Sequence, residues 1–251
     1  MRNSQREHSE SAIAILVEPA CLNLGLVEPE DGFLERLREL ADEYNVVLVF
    51  DEVKTGVKLA PGGGAEYYGV EPDLVALAKA IGGGYPVGAF GGREEIMELI
   101  AADLQDGVAT GAAHYGTYNG NPLALRAVGV TLREILDDDA YDHVTGLAER
   151  LAAGYREVIA DAGLDAQVKT AGSQGMVHFT EEPIRTFRDW EHVDVEFHEA
   201  YWMGMLNNGV LPHPHDASQQ WTLSVQHDAD DVDAHVDAFA ALADDLAAAQ
   251  E

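Results

Sequence analysis

One lysine of this chain, Lys79, lies between an apolar run and a loop of consecutive glycines, in the stretch DLVALAKAIGGGYPVGAF at residues 73–90. Lysine is scarce here: the chain has only four, at positions 54, 58, 79 and 169, and its formal net charge is -30. A lysine that is desolvated by its neighbours is readily deprotonated, and the neutral amine can form a Schiff base with a carbonyl. The pattern favours carbonyl chemistry at Lys79; a lysine that ends a strand and reaches solvent is the alternative interpretation.

A carboxylate, Asp51, stands at the corresponding place after another apolar run, VVLVF. Ligands of open parallel sheets bind beyond the carboxyl ends of the strands, so the sequence predicts Asp51 and Lys79 at the same edge of one sheet. An acid paired with a Schiff-base lysine is the arrangement that pyridoxal phosphate needs, because the carboxylate keeps the pyridine nitrogen protonated. On these two residues alone, a surface aspartate beside a strand-capping lysine is an equally good interpretation.

The glycines after Lys79 do not fit a nucleotide site. A phosphate-binding loop has its lysine after the glycines, whereas Lys79 precedes them. From Gly82 and Gly84, the third glycine of a dinucleotide-binding fingerprint would fall at Val87. The spacing therefore argues against both common kinds of nucleotide loop.

The residues before 135 predict an α/β domain with a mainly parallel sheet. Residues 12–19 and 45–52 are short apolar runs typical of strands that are buried on both faces, and between them PEDGFLERLRELADEY has helical spacing. Further strands are predicted at residues 73–78 and 87–92. This strand, helix, strand alternation places the glycine loop and Lys79 after the third strand.

A long helix is predicted from Pro122, and a second, smaller domain follows it. Asn121 and Pro122 are suited to the N-cap and the first position of this helix. Beyond it, amphipathic helices at about 139–162 and 229–248 surround AQVKTAGSQGMVHFT and WTLSV, which are predicted to be short strands. We therefore expect domains at residues 1–135 and 136–251, the second of α+β type.

The charge balance argues against nucleic acid and anionic membranes as partners. Asp and Glu number 45 against 15 Lys and Arg, so both surfaces would repel the chain. Dispersed carboxylates with few lysines are typical of a surface adapted to high salt, where screening removes most of the self-repulsion. A single cysteine excludes an internal disulfide, and no apolar stretch suits a signal peptide or a membrane span. The predicted location is the cytoplasm.

Three consecutive motifs resemble those of the class III aminotransferases, which are pyridoxal phosphate enzymes of fold type I. The motifs are FDEVKTG, then YYGVEPDLVALAKAIGGGYPVGAFGG, then GTYNGNPLA, in the order and spacing of that family. The resemblance extends from about residue 12 to the C-terminus. It implies the fold type I architecture, with an incomplete large domain followed by a smaller C-terminal domain, and pyridoxal 5'-phosphate as cofactor.

The resemblance also implies roles for individual residues. Lys79 would hold the cofactor and move the proton between substrate carbon and cofactor carbon. Asp51 would pair with the pyridinium nitrogen, and Val53 would pack on the ring face. Gly116 and Thr117 would reach the cofactor phosphate of a neighbouring subunit, which implies a homodimer; a turn or cap hydroxyl is the alternative for Thr117.

Within the family, GFLERLRELADEY, GGREEIMELI, MLNNGV and SVQH are most similar to the glutamate-1-semialdehyde 2,1-aminomutase branch. Asn23 is also typical of that branch, although a turn residue is an equal alternative. Lys54, Val57 and Lys58 depart from the branch, which favours Met, Phe and Arg at those positions. The implied function is transfer of an amino group on a small amino acid or amino-aldehyde, by an aminomutase or by an aminotransferase of the same branch.

The loop PHPHD holds His213, His215 and Asp216, whose side chains could bind zinc. Two histidines flanked by prolines are more often an ordinary loop, so no metal is predicted. If the loop is functional, the expected role is to line the substrate entrance.

The family's N-terminal segment, with a glycine- and serine-rich phosphate turn and an aromatic residue that stacks on the ring, has no counterpart in this sequence. Two hypotheses follow. One is an enzyme, whose chemistry survives or whose N-terminal half is a separate polypeptide. The other is a non-catalytic truncated remnant, or a dimerisation module that needs a separate N-terminal half. A sheet without its first strands should expose apolar surface.

Overall fold

The computed structural model describes residues 12–101, 104–105, 108–109, 111–112, 114–180, 182–212 and 220–250. The chain divides into two compact units. The N-terminal unit comprises the residues up to Pro19 together with Pro29–Ile135, and the C-terminal unit comprises Ala20–Glu28 together with Leu136–Glu251. Nothing in the sequence indicates that residues 20–28 group with the later ones. The domain boundaries at 1–135 and 136–251 stay a prediction.

The N-terminal unit is an α/β unit. Its strands are β1 Ala14–Val17, β2 Val47–Asp51, β3 Leu74–Ala78, β4 Gly88–Gly92, β5 Leu104–Gln105 and β6 Val108–Ala109. Its helices are α1 Phe33–Tyr44, α2 Gly56–Leu59, α3 Gly63–Tyr68, α4 Glu94–Ala101 and α5 Pro122–Val130. Asn121 caps α5 as predicted, since its Oδ1 accepts from the amides of Leu123 and Ala124 at 3.0 and 3.2 Å. Residues Thr131–Ile135 continue α5 as a π-helix.

The main sheet has the strand order β1-β2-β3-β4. β1, β2 and β3 are parallel, whereas β4 is antiparallel to β3. Residues 79–87 join β3 to β4, which is too short a connection for the crossover that a parallel strand needs. The sheet is therefore mixed but mainly parallel.

The two faces of this sheet differ in cover. Leu48 and Phe50 are fully buried in a cluster with α1 residues Leu34 and Leu37. On the opposite face, which bears Asp51 by alternation, Leu16 is 66% exposed and so within reach of solvent. The edge strand β4 has little cover on either face.

A buried carboxylate, Asp73, ties β3 to its surroundings. It is 4% exposed and accepts from the Leu48 amide at 2.7 Å and from Arg38 and Arg93 at 3.0 Å each. Burial raises the pKa of Asp73, but the hydrogen bonds from Leu48, Arg93 and Arg38 outweigh burial and hold it below its ordinary value. Asp73, which directly precedes β3, thus joins this strand to β2, to α1 and to the segment after β4.

The C-terminal unit is an antiparallel sheet with helices. Its strands are β7 Gln167–Ala171, β8 Gln174–His178 and β9 Trp221–Thr222. Its helices are α6 Asp138–Ala162, α7 Phe187–Trp190, α8 Val195–Asn207 and α9 Ala229–Gln250. The predicted helices correspond to α6 and α9. The sequence does not predict α8, because its buried stripe includes His198 while Met203 and Leu206 on the same helix are exposed.

The core of this unit lies where α6 packs on α9. The ring of Tyr155 stacks on Phe239 with 4.1 Å between ring centroids, and its hydroxyl lies 2.7 Å from that of Tyr201. Both tyrosines are buried, and the hydrogen bond between their hydroxyls gives each a partner without water. Among the helices that the structure describes, none is long and apolar enough to cross a membrane.

Two buried side chains hold residues 20–28 to the rest of the C-terminal unit. The Gly25 carbonyl accepts from His178 Nε2 at 2.6 Å, and the Leu22 carbonyl accepts from Gln220 Nε2 at 2.9 Å. Burial lowers the pKa of His178 to about 4; the hydrogen bond to Gly25 opposes this shift, and Lys169 and His198 add to it. Burial also lowers the pKa of His235 to about 4. The folded unit therefore favours the neutral form of both imidazoles.

We expect Asp73→Asn to lower the free energy of unfolding by about 2 kcal/mol, because the buried amide accepts fewer hydrogen bonds and leaves the Leu48 amide or an arginine without its partner. Far-ultraviolet circular dichroism during chemical denaturation is the measurement, since all three tryptophans lie in the C-terminal unit. Asp42→Asn is the control, because Asp42 also pairs with Arg38 but its side chain is 66% exposed. An equal loss in both variants would contradict the assignment of Asp73.

We expect the C-terminal unit to lose stability as the pH falls below 6.5. Both histidines have folded-state pKa values of about 4, below the ordinary 6.5, so the unfolded chain binds protons more readily in this window. Each should lower the free energy of unfolding by about 1 kcal/mol per pH unit. Tryptophan emission during denaturation at several pH values measures this slope.

The double variant His178→Gln, His235→Gln should flatten the slope, while His192→Gln, which replaces an exposed histidine of the same unit, should leave it unchanged. A slope in the double variant as steep as in the wild type would show that other groups cause the acid sensitivity.

Candidate functional site

The parallel pairing of β2 with β3 brings two predicted site residues to one sheet edge. Asp51 is the last residue of β2, and its register partner on β3 is Ala76. Lys79 follows directly after β3. Since both strands run in the same direction, their carboxyl ends meet, and Asp51 and Lys79 lie at the same edge.

The backbone of Lys79 has an unusual conformation. Its φ is +50°, in the left-handed region that non-glycine residues rarely adopt, and it begins the 3₁₀ turn Lys79–Gly82. Such strain costs on the order of 1 kcal/mol and concentrates at functional sites. Lys79 is exposed, so the expected desolvation of its amine is wrong for the described chain.

The glycine loop after Lys79 is required by close packing rather than by phosphate binding. A Cβ on Gly83, whose φ is +54°, would lie 2.6 Å from Oγ1 of Thr131 in the π-helix. A Cβ on Gly82 would lie 2.6 Å from Cγ1 of Val87. These two approaches let the loop turn tightly and hold the 3₁₀ turn of Lys79 against the end of α5.

Asp51 and Val53 are both half-buried and lie next to each other at the edge. The Val53 amide donates to Asp51 Oδ1 at 3.1 Å. This hydrogen bond orients the carboxylate while leaving acceptor capacity on Asp51 for a ligand. The pairing of Asp51 with a pyridine nitrogen and the packing of Val53 on the ring stay predictions.

Two further lysines belong to the same neighbourhood, and the sequence analysis did not assign them to the site. Lys54 follows Val53, and Lys58 lies in the short helix α2, which packs on the turn of Lys79. The pKa of Lys58 is lowered to about 8, mainly by burial and also by the charges of Lys79 and Lys54. Three of the four lysines of a chain whose net charge is -30 thus lie close together. In the sequence, the short spacing of these two lysines from Asp51 was the feature that could have indicated their place in the site.

Gly116 and Thr117 lie in an exposed turn ahead of α5. The Asn119 amide donates to the Gly116 carbonyl at 3.0 Å, and a Cβ on Gly116 would clash with the Asn119 side chain. The described contacts join neither residue to Asp51 or Lys79. A phosphate contact and a turn hydroxyl both remain interpretations of Thr117.

Four further residues were candidates in the sequence. Asn23 is part of the 3₁₀ turn Leu22–Leu24 in the C-terminal unit. His213, His215 and Asp216 lie outside the described residues. Among the residues that are described, no group of three or more histidine, cysteine or acidic side chains could hold a metal ion.

Comparisons with known proteins agree with one another. The family model described as Aminotransferase class-III matches residues 1–232. A glutamate-1-semialdehyde 2,1-aminomutase from Methanothermobacter thermautotrophicus is 40% identical over 91% of this chain and 53% of its own length.

Solved structures have the same fold. An ω-transaminase from Sphaerobacter thermophilus has a TM-score of 0.88 and 33% identity, over 98% of this chain and 55% of that one. A glutamate-1-semialdehyde aminomutase from Pseudomonas aeruginosa, in complex with PMP, has a TM-score of 0.85 and 30% identity, over 96% of this chain and 53% of that one.

The chain spans about half the length of the curated relatives it matches. The predicted fold, α/β of the pyridoxal phosphate fold type I with a mainly parallel sheet, is confirmed by these neighbours. The chain belongs to the class III aminotransferase family.

Proposed function

We propose that this chain carries the cofactor lysine and the pyridine-binding acid of a pyridoxal phosphate-dependent enzyme that moves an amino group. The observation that supports this most directly is the left-handed Lys79 at the carboxyl end of β3, on the strand adjacent to that of Asp51. The aminomutase relative at 40% identity favours a small substrate that bears an amine and an aldehyde.

The chemistry of the side chains at the edge fits pyridoxal phosphate. Lys79 offers a primary amine for an aldehyde, and Asp51 offers a carboxylate for a protonated pyridine nitrogen. Lys54 and Lys58 supply positive charge, which suits an anionic ligand. When bound, the cofactor supplies an electron-accepting ring.

Each residue then has a definite task. Lys79 would hold the cofactor through its aldehyde, and its amine would take a proton from the substrate carbon and return it. Asp51, oriented by the Val53 amide, holds the proton on the pyridine nitrogen. Val53 would pack on the ring and exclude water from that face. Gly116 and Thr117 contribute to the phosphate site of a second subunit.

The complete site needs more than the residues of one chain. We propose a homodimer, because Gly116 and Thr117 are exposed in a turn that a second subunit can reach. Leu16 is exposed on the sheet face that bears Asp51, which supports the proposal that further residues cover this face. The acidic surface supports work in concentrated salt, where repulsion among carboxylates is screened.

Titration of the purified chain with pyridoxal phosphate in concentrated KCl should give a saturable visible absorbance band, because Nζ of Lys79 binds the aldehyde. Lys79→Ala should abolish the band, and Lys169→Arg, in the other unit, should retain it. Borohydride reduction followed by peptide mass spectrometry should place the cofactor on Lys79. A band that persists in Lys79→Ala would refute the assignment, and no band in the wild type would favour the non-catalytic alternative.

Lys58 should titrate at about pH 8, because it is half-buried beside Lys54 and Lys79. With only four lysines, ¹³C-methylation of the cofactor-free chain gives a simple NMR spectrum in which each signal can be assigned. The signal of Lys58 should disappear in Lys58→Arg and titrate at higher pH in Lys54→Met. Lys169→Arg should leave it unchanged. A midpoint near the ordinary value of 10.5 would contradict the crowded arrangement.

A further inference from the structure

A buried carboxylate, Glu52, separates Asp51 from Val53. It is 2% exposed, which is rare for a glutamate. The main chain of Glu52 is fully engaged, since its amide donates to the Ala76 carbonyl on β3 and its carbonyl accepts from the Gly56 amide, each at 2.9 Å. The residue is thus fixed both to the sheet and to the start of α2.

The carboxylate of Glu52 accepts three hydrogen bonds. Oε2 accepts from Thr55 Oγ1 at 2.8 Å and from the Gly64 amide at 2.7 Å, and Oε1 accepts from the Ala65 amide at 3.0 Å. Thr55 is fully buried and Gly64 is buried as well. Three donors compensate the cost of removing a carboxylate from water.

These bonds join the two ends of residues 52–65, and this closed segment is called the clasp below. The chain leaves the sheet at Asp51, passes through α2 and returns at Gly64, where the same carboxylate holds it. The fit is tight: a Cβ on Gly63, whose φ is +68°, would lie 2.7 Å from Glu52 Oε2. Lys54 and Lys58 both lie inside this clasped segment.

We propose that Glu52 is a positioning residue for the candidate site: its buried carboxylate fixes the Asp51–Val53 segment and the turn that bears Lys54 and Lys58. The proposal rests on the proposed function, in which Asp51 and Val53 hold the cofactor ring. Without the carboxylate, the Gly64 and Ala65 amides lose their acceptor, and the segment that orients Asp51 is released from one of its two anchors.

The test compares Glu52→Gln and Thr55→Val with the control Glu66→Gln. The amide of Gln presents one oxygen where the carboxylate has two, so at least one donor is left without an acceptor. Thr55→Val removes one donor and keeps the carboxylate with both backbone amides. Glu66 also accepts from an amide at the start of α3, that of Gly62 at 2.6 Å, but this bond is exposed.

The first measurement is amide hydrogen exchange on the cofactor-free chain. In Glu52→Gln, exchange at Val53, Gly64 and Ala65 should be at least about 10-fold faster, as expected for the loss of a buried hydrogen bond. Thr55→Val should show a smaller change in the same direction, and Glu66→Gln should show none at Val53. Exchange at Val53 in Glu52→Gln that equals the wild type would overturn the proposal.

The second measurement is visible circular dichroism of the chain saturated with pyridoxal phosphate. If Glu52 positions Asp51 and Val53, Glu52→Gln should bind about 10-fold more weakly and keep an altered spectrum even at saturation. A purely structural role would restore the wild-type spectrum once the site is filled, and that result would overturn the proposal. Glu66→Gln should match the wild type.

The two proposals can fail separately. A wild-type chain that binds no cofactor refutes the proposed function, and exchange at Val53 then decides whether Glu52 holds the segment. If Glu52→Gln does not fold, Thr55→Val decides: faster exchange at Val53 supports the clasp, and unchanged exchange overturns it.

Discussion

The candidate site depends on one pairing, that of β2 with β3 in parallel. Because the two strands run in the same direction, the residues at and just after their carboxyl ends, Asp51 and Lys79, meet at one edge although they are far apart in sequence. An antiparallel pairing would send them to opposite ends of the sheet. The short connection from β3 to the antiparallel β4 then turns the chain back just beyond Lys79, with glycines where the backbone must approach Thr131 and Val87.

Two buried carboxylates stabilise this pair of strands from its two ends. Asp73 precedes β3 and accepts from the Leu48 amide of β2 and from two arginines. Glu52 follows β2 and accepts from Thr55, Gly64 and Ala65. Among the residues that the structure describes, these are the only buried carboxylates. The chain has 45 acidic residues. The two that are buried are fully hydrogen-bonded, and the other acidic residues that the structure describes are in contact with solvent to varying degrees.

The C-terminal unit uses neutral polar groups instead of charges. His178 and Gln220 hold residues 20–28 through backbone carbonyls, and Tyr155 and Tyr201 share a hydrogen bond in the core. Each of these groups is buried, so its partner replaces water that the unit excludes. The cost is sensitivity to protonation, because a charged imidazole at position 178 has no compensating carboxylate among the groups that shift its pKa.

The sequence by itself determined the family motifs, the strands and helix around Asp51, the cap at Asn121, and the pairing of an acid with a lysine beyond adjacent strands. These features follow from local pattern, because apolar runs, caps and motif spacing are properties of short segments. Only the tertiary structure decided that Glu52 clasps Gly64 and that Lys58 is crowded by Lys54 and Lys79. It also decided that residues 20–28 group with the later part of the chain. Such contacts join segments through side chains that have no periodic signature, so no local pattern predicts them.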